Sequence, residues 1–213
     1  MPQRLHVQRG LVFVVSAPSG AGKTTLCGRL VKEYGDFDLS ISTTTRPPRR
    51  GETQGVEYRF VSVAQFRAKI DAGEFVEWAE VHGNYYGTSR RFLEERLSQG
   101  RDVLLDIDVQ GGLQLRRHLQ ESILIFIMPP SLETLQQRLR QRGADAEAEI
   151  KRRLEGAKKE LACVRQYDYA IINRDITESL AQLRSIILAE RQRSSRYCPP
   201  PDIAPFVPRA GGS

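Results

Sequence analysis

The chain reads as an α/β protein: a parallel sheet flanked by helices, doubly wound, with a small α+β unit inserted into it. Three observations predict this. Short runs at 11–15, 102–107, 122–127 and 169–172 are almost wholly apolar inside, as strands covered on both faces must be. Helical periodicity fills the spaces between the later ones, the alternation that builds a parallel sheet. Between residues 40 and 98 the rhythm breaks into loop chemistry and alternating segments, as expected of an insertion.

The first element is the most informative. Leu11-Val-Phe-Val-Val-Ser-Ala-Pro-Ser-Gly-Ala-Gly-Lys-Thr-Thr25 is an apolar run, a small-residue turn and then an amphipathic stretch marked by Leu26, Leu30 and Val31. Strand, tight loop and helix in that order make a phosphate-binding loop. Gly20 and Gly22 free the backbone to turn its N–H groups inward, and the helix start behind them favours an anion. The loop, Ala17, Pro18, Ser19, Gly20, Ala21, Gly22, Lys23, Thr24 and Thr25, is therefore assigned to the phosphates of ATP. Lys23 reaches the β- and γ-phosphates, and the Thr24 hydroxyl ligates Mg²⁺. One departure from G-x-x-x-x-G-K-[ST] is Ala17, where the pattern has glycine.

After residue 40, Thr43-Thr-Thr-Arg-Pro-Pro-Arg-Arg-Gly51 is loop chemistry, 56–63 and 75–82 alternate as exposed strands do, and a helix at 63–72 lies between them. In the core, helices are expected at 131–142, 147–165 and 177–193, with Ser131 and Thr177 as N-caps. Leu132, Leu135 and Leu139 form an apolar stripe at helical spacing. The last residues, 194–213, are rich in proline without periodicity, so they read as a disordered or polyproline-like tail.

At 213 residues, 40% hydrophobic and 27% charged, the composition is that of a soluble globular protein. No apolar run approaches a membrane span, and the first ten residues lack a signal peptide's apolar stretch. Cys27, Cys163 and Cys198 are odd in number and widely spaced, which suggests neither disulfides nor zinc and fits a cytoplasmic protein. The charge of +6 and pI near 9.4 admit nucleic acid as a partner. The arginines, however, are scattered among acids rather than gathered in one basic run, so no nucleic-acid partner is expected, and two polyphosphate ligands account for the surplus.

The insertion narrows the reaction. Ser42-Thr-Thr-Thr-Arg46-Pro-Pro-Arg49-Arg-Gly51-Glu52, then Tyr58, Glu77 and Gly83-Asn-Tyr-Tyr86-Gly-Thr88, followed by Leu105-Asp106-Ile-Asp108-Val-Gln110-Gly111, resembles the guanylate kinase family. The resemblance spans residues 9–193, with the core at 9–41 and 97–193 and the insertion at 42–96. It implies a P-loop kinase core, an insertion that binds guanosine monophosphate (GMP), a helical lid at about 137–155, and ATP, GMP and its deoxy form as ligands.

The residues suit those roles. Arg46 and Arg49, three apart in a proline-stiffened loop, can clamp one phosphate, with Tyr58 and Tyr86 adding hydroxyls. A carboxylate such as Glu77 can accept from both N1–H and N2–H₂ of guanine, which adenine cannot match. Ser42 and Thr88 suit the O6 edge, Asp108 a further contact with the base, and Glu52 completes the family's acceptor set. Plainer readings stand beside these: solvated loop arginines, tyrosines packed within the insertion, and a solvent-facing Glu77.

Asp106 closes an apolar strand, where a P-loop enzyme holds the water shell of its Mg²⁺; Asp108 shares its face. Arg138 and Arg142 lie on one helical face, and with Arg153 they match family arginines that close over the transferring phosphate. Arg117, Arg140 and Arg152 read as helix-surface charges. Asn173 matches a family position near adenine, and His6, His82 and His118 form no cluster. The expected activity is ATP:GMP phosphotransfer in purine nucleotide metabolism and GMP recycling. A sugar-phosphate kinase and a peptide-binding module without catalysis are the two rival readings.

Overall fold

The computed structural model describes residues 9–81, 83–141, 147–196 and 202–206. Its main sheet runs in the order β2 (Asp38–Leu39), β7 (Val103–Asp106), β1 (Val12–Ser16), β8 (Ile123–Met128) and β9 (Tyr169–Ile172). Every neighbouring pair is parallel. Central β1 is buried along its whole length, which is why its sequence shows no polar alternation.

Phe13 and Val15 face one apolar cluster with Leu26 and Leu30 of helix α1 (Lys23–Tyr34) and with Leu183 and Ile187 of α7 (Ile176–Arg191). Val12 and Val14 face the other, with Leu93 and Leu97 of α3 (Arg90–Ser98) and Leu115 of α4 (Val109–His118). Helices thus cover both faces of the parallel sheet, as the sequence predicts. From β1 the chain reaches β7 on one side and β8 on the other. The carboxyl ends of β1 and β7 therefore meet at a crevice of the kind where α/β sheets bind ligands.

The insertion forms its own mixed sheet, ordered β4 (Arg59–Phe60), β3 (Thr43–Thr44), β6 (Asn84–Ser89) and β5 (Phe75–Val81). Helix α2 (Val63–Asp71) is closed by a capping box between Ser62 and Gln65. Its Phe66 stacks on Phe75 and Tyr85 at 4.6 and 5.5 Å between ring centroids, giving the insertion a small aromatic core. Helices α5 (Leu132–Gln141) and α6 (Glu147–Leu161) pack through Leu135, Leu139, Ile150 and Ala157.

Several details differ from the sequence reading. Asp175, not Thr177, caps α7: its carboxylate accepts from the N–H groups of Thr177 and Glu178. The strand expected at 56–63 shrinks to Arg59–Phe60, because residues 55–57 turn. Thr43–Thr44, read as loop, pairs on both sides as β3. Helix α6 stops at Leu161, and residues 164–166 form a separate 3-10 turn. In the proline-rich tail, Ser194–Arg196 and Ala204–Phe206 are short 3-10 turns; residues 197–201 and 207–213 lie outside the described residues.

Candidate active site

The loop between β1 and α1 is built as a cradle. Gly20 and Gly22 take left-handed backbone conformations, φ 93° and 95°, which side-chain-bearing residues rarely adopt. No side chain caps α1 at Gly22, so its leading N–H groups are left for an anion. Ala17 is buried, and Ala21 N–H closes the turn on Pro18 O at 3.0 Å. Thr24 and Thr25 are exposed on the first turn of α1.

Lys23 lies across the crevice, ion-paired to Asp106 and donating to Ile107 O at 2.9 Å. Burial opposes its charge, but the Asp106 carboxylate outweighs that, and its pKa is raised. Lys23 and Asp106 thus put opposite charges at the sheet edge, beside the loop.

A cavity of about 240 Å³ opens there, lined among others by Lys23, Ser42, Glu77, Asp106, Asp108 and Glu160. Glu77 is only 4% exposed, which overturns its solvent-facing alternative. The strand has a register irregularity between Phe75 and Glu77, and Glu77 sits on the buried side while Trp78 faces outward. Burial lifts its carboxyl to about 7, Asp108 adds to the rise, and the Thr88 hydroxyl opposes it.

Thr88 is fully buried and donates to Glu77 Oε1, so its hydroxyl orients that carboxylate. Asp108 caps α4, accepting from Gly111 N–H at 2.8 Å, while its side chain still borders the cavity.

An adjoining cavity of about 480 Å³ shares Ser42, Tyr58, Tyr86 and Asp106 with the first, and reaches Thr24, Arg46, Arg49 and Glu52. Glu52 grips the Arg46 guanidinium with both oxygens, at 2.8 and 2.9 Å, and accepts from Arg49 N–H at 2.7 Å. The pairing lowers the Glu52 pKa and raises that of Arg46. Arg46 also lies 5.3 Å from the centroid of the Tyr58 ring, which meets Tyr86 edge-on. Two arginines and two phenols thus border one cavity, and Glu52 ties Arg46 to the backbone at Arg49.

On the far side of the loop, a cavity of about 500 Å³ is bordered by Gly20, Gly22, Thr25, Arg138 and Asn173. Asn173 is buried and fully engaged, donating to Ala21 O at 2.8 Å and accepting from Ser179 Oγ at 3.1 Å. Its amide thereby ties the loop to the start of α7. Arg138 donates to Ala21 O and Asn173 O at 3.4 and 3.2 Å, and Arg153 donates to Ser19 Oγ at 2.6 Å. Both guanidiniums therefore already border the phosphate loop. Arg142 and His82 lie outside the described residues. Arg140 and Arg152 pair with Glu147 and Glu149 at the surface.

The family model described as guanylate kinase matches residues 9–190. The chain belongs to the guanylate kinase family. A guanylate kinase of Syntrophotalea carbinolica is 50% identical over 189 residues, spanning 89% of this chain and 90% of its own. That of Idiomarina loihiensis is 50% identical over 186 residues, 86% of this chain and 89% of the relative. The crystal structure of guanylate kinase from Anaplasma phagocytophilum superposes with a TM-score of 0.75 at 35% identity, covering 89% of this chain and 90% of that one.

In this guanylate kinase fold one carboxylate of the cavity of about 240 Å³ escaped the sequence reading. Glu160, near the end of α6, faces Glu77 and Asp108 across the cavity. Burial raises its carboxyl to about 7 and Asp108 adds to this, while Lys23 and the Ser19 backbone N–H work the other way. Its sequence context, Lys158-Lys-Glu-Leu161, looks like any charged helix surface. Only packing α6 against the phosphate loop turns it inward.

Proposed function

We propose that the chain transfers the γ-phosphoryl group of ATP to GMP, giving ADP and GDP, with Mg²⁺ as the metal. The observation that carries this reading is the buried Glu77 carboxylate in the same cavity as Lys23 and Asp106. A base-recognition group and a phosphate-handling pair thus share one space. Guanine presents two adjacent donors, and a carboxylate oriented through one oxygen by Thr88 is the complementary acceptor.

The Pγ–O bond to ADP breaks as a phosphate oxygen of GMP forms the new one. Because the acceptor is already anionic, the protein needs no strong base; positioning and charge neutralisation carry the catalysis. Arg46 and Arg49 hold the GMP phosphate, with Tyr58 and Tyr86 as further donors. Lys23 leaves Asp106 to follow the γ-phosphoryl group. Arg138 and Arg153, already on the loop, offset charge developing on the equatorial oxygens; Arg142 joins them in this reading.

Thr24 and Asp106 supply a hydroxyl and a carboxylate beside the phosphate loop, hard oxygen donors that suit Mg²⁺ held mainly by phosphates and water. Among the described residues no group of three His, Cys, Asp or Glu forms a dedicated cage, which agrees with that mode of binding. Bound there, the ion supplies charge neutralisation for the β- and γ-phosphates.

The same reading places the protein in the cytoplasm, in purine nucleotide metabolism. No helix among the described residues is long and apolar enough to cross a membrane. It treats 42–96 as the GMP-binding unit, 137–155 as the lid, and deoxy-GMP as an additional acceptor.

Glu77→Gln tests it. An amide satisfies one guanine donor and not both, so kcat/KM for GMP should fall by about one to two decades, the cost of a charged hydrogen bond. A variant that keeps the wild-type preference for GMP over AMP refutes the role given to Glu77.

A further inference from the structure

Glu77 reads guanine only if its carboxylate stays where the cavity needs it, and its surroundings fix that place from two sides. Thr88 donates to Oε1. On the other side Oε2 lies against the first turn of α4, at Gly111. A methyl group added at Gly111 would lie 2.5 Å from Glu77 Oε2 and 3.2 Å from its Cδ, closer than atoms pack. The next neighbour, Ile107 Cδ1, lies at 3.6 Å, an ordinary contact.

Gly111 is not there for its backbone. It is helical, with no positive φ, and alanine is the better helix former at such a position. Its N–H caps on Asp108, a bond any residue can make. What glycine alone provides is the absence of a side chain beneath the carboxylate. Strand β5 is tied to α4 nearby, since Trp78 N–H donates to Gln114 Oε1 at 2.9 Å, so the strand cannot simply back away. A side chain at 111 must therefore be accommodated by the far end of Glu77, and the carboxylate loses either Thr88 or its aim into the cavity.

We infer that Gly111 is a positioning residue for base specificity: the bare helix surface under Glu77 sets the carboxylate for guanine. The inference rests on the proposed reading of Glu77 as the group that accepts from the base. Gly111→Ala then acts on acceptor recognition and leaves donor binding alone.

The test measures KM for GMP, KM for ATP and the GMP-over-AMP preference in Gly111→Ala, Glu77→Asp, Glu77→Gln and the Gly111→Ala/Glu77→Asp double variant. Gly156→Ala on α6, where an added methyl meets nothing within 4 Å, is the control for a glycine replaced in a helix. Gly111→Ala is expected to raise KM for GMP at least about tenfold, the size of one weakened charged hydrogen bond, with KM for ATP and Tm little changed. The shorter Asp should worsen GMP binding in the wild-type background and improve it in the Gly111→Ala background, because it clears the methyl.

A KM for GMP within about twofold of wild type in Gly111→Ala overturns the inference, since a weakened charged hydrogen bond costs more than that. Additive effects in the double variant overturn it too, as does a Gly111→Ala protein that unfolds and stays unfolded with Asp at 77. If Glu77→Gln loses guanine preference while Gly111→Ala keeps it, only this inference fails. If Glu77→Gln keeps the preference, the reading of the site fails with it.

Discussion

A carboxylate buried on a strand, as Glu77 is, is stable only with partners, and those here are the hydroxyl and backbone N–H of Thr88, with Lys23 acting from across the cavity. Its pKa of about 7 against an ordinary 4.5 makes a pH prediction with a definite sign. Below about 4.5 the folded and unfolded forms both carry the proton. Between 4.5 and 7 only the folded form does, so stability falls as pH rises through that window. Glu77→Gln, which mimics the protonated form, should melt above the wild type near pH 8, with the gain shrinking towards pH 5. Recognition runs the other way. The ionised carboxylate accepts both guanine donors, so KM for GMP should fall as pH rises through about 7. Asp106, Asp108, Glu160 and Lys23 face the same cavity, and the phosphate of GMP titrates nearby. The part of the profile due to Glu77 is what Glu77→Gln removes; an unchanged profile in that variant contradicts the assignment. Glu77 itself was legible through the family resemblance, as the acid between Val76 and Trp78 at the base-reading position. Glu160 was not, since a charge in a helix with charged neighbours carries no sign of the element that will cover it.

At the scale of elements, strands were easier to read than helices. The buried runs of β1, β7 and β8 stand out because a parallel strand covered on both faces has no polar face; β9 is as apolar, but it is an edge strand with Ala170 and Ile172 exposed. Helix α3 passed unread, and α4 showed only as periodicity between two strands, without bounds: Val109-Gln-Gly-Gly-Leu-Gln-Leu115 carries two glycines, which argue locally against a helix. Asp108 caps α4 and its glycines fit against Glu77, Ser16 and Tyr167, so tertiary packing overrides propensity. The start of α7 illustrates the same limit: Thr177 is a good cap by residue type, but the backbone begins the helix right after Asp175. The end of that helix holds the fold together from below. Arg191, 10% exposed, pairs with Asp36 at 2.6 Å and with the 3%-exposed Asp102 at 2.7 Å, and its guanidinium lies 4.7 Å from the centroid of the Phe37 ring. Burial opposes the charge on Asp36, but Arg191 and Arg184 outweigh it and its pKa is lowered. Removing one partner from a buried pair costs about 3–5 kcal/mol, so Arg191→Ala should lower Tm by roughly 10 °C with KM values unchanged. A depressed carboxyl stabilises at neutral pH and loses that contribution as pH falls through its folded value. The gap between wild type and variant should therefore narrow in acid, and a gap that widens there would contradict the network.

The molecule as a whole joins two sheets around one set of cavities. The parallel sheet presents the phosphate loop, Lys23 and Asp106; the insertion presents Glu77, Thr88 and the tyrosines; and α4 touches the insertion's sheet through Gly111 and Gln114 and the parallel sheet through Gly112 and Leu115. The break in rhythm between 40 and 98 was visible because the strands there are short, mixed and partly exposed. How closely the Glu77 carboxylate sits against α4 was not, since that depends on a glycine whose role is to be absent. In the proposed function these two sheets form one site for ATP and a guanine nucleotide. An ADP-release assay with ATP and each nucleoside monophosphate in turn tests it most directly. Turnover with GMP should exceed that with AMP, CMP and UMP by orders of magnitude in kcat/KM, as a site built around a buried acceptor requires. Comparable turnover with AMP, or ADP release that no nucleoside monophosphate accelerates, would contradict it.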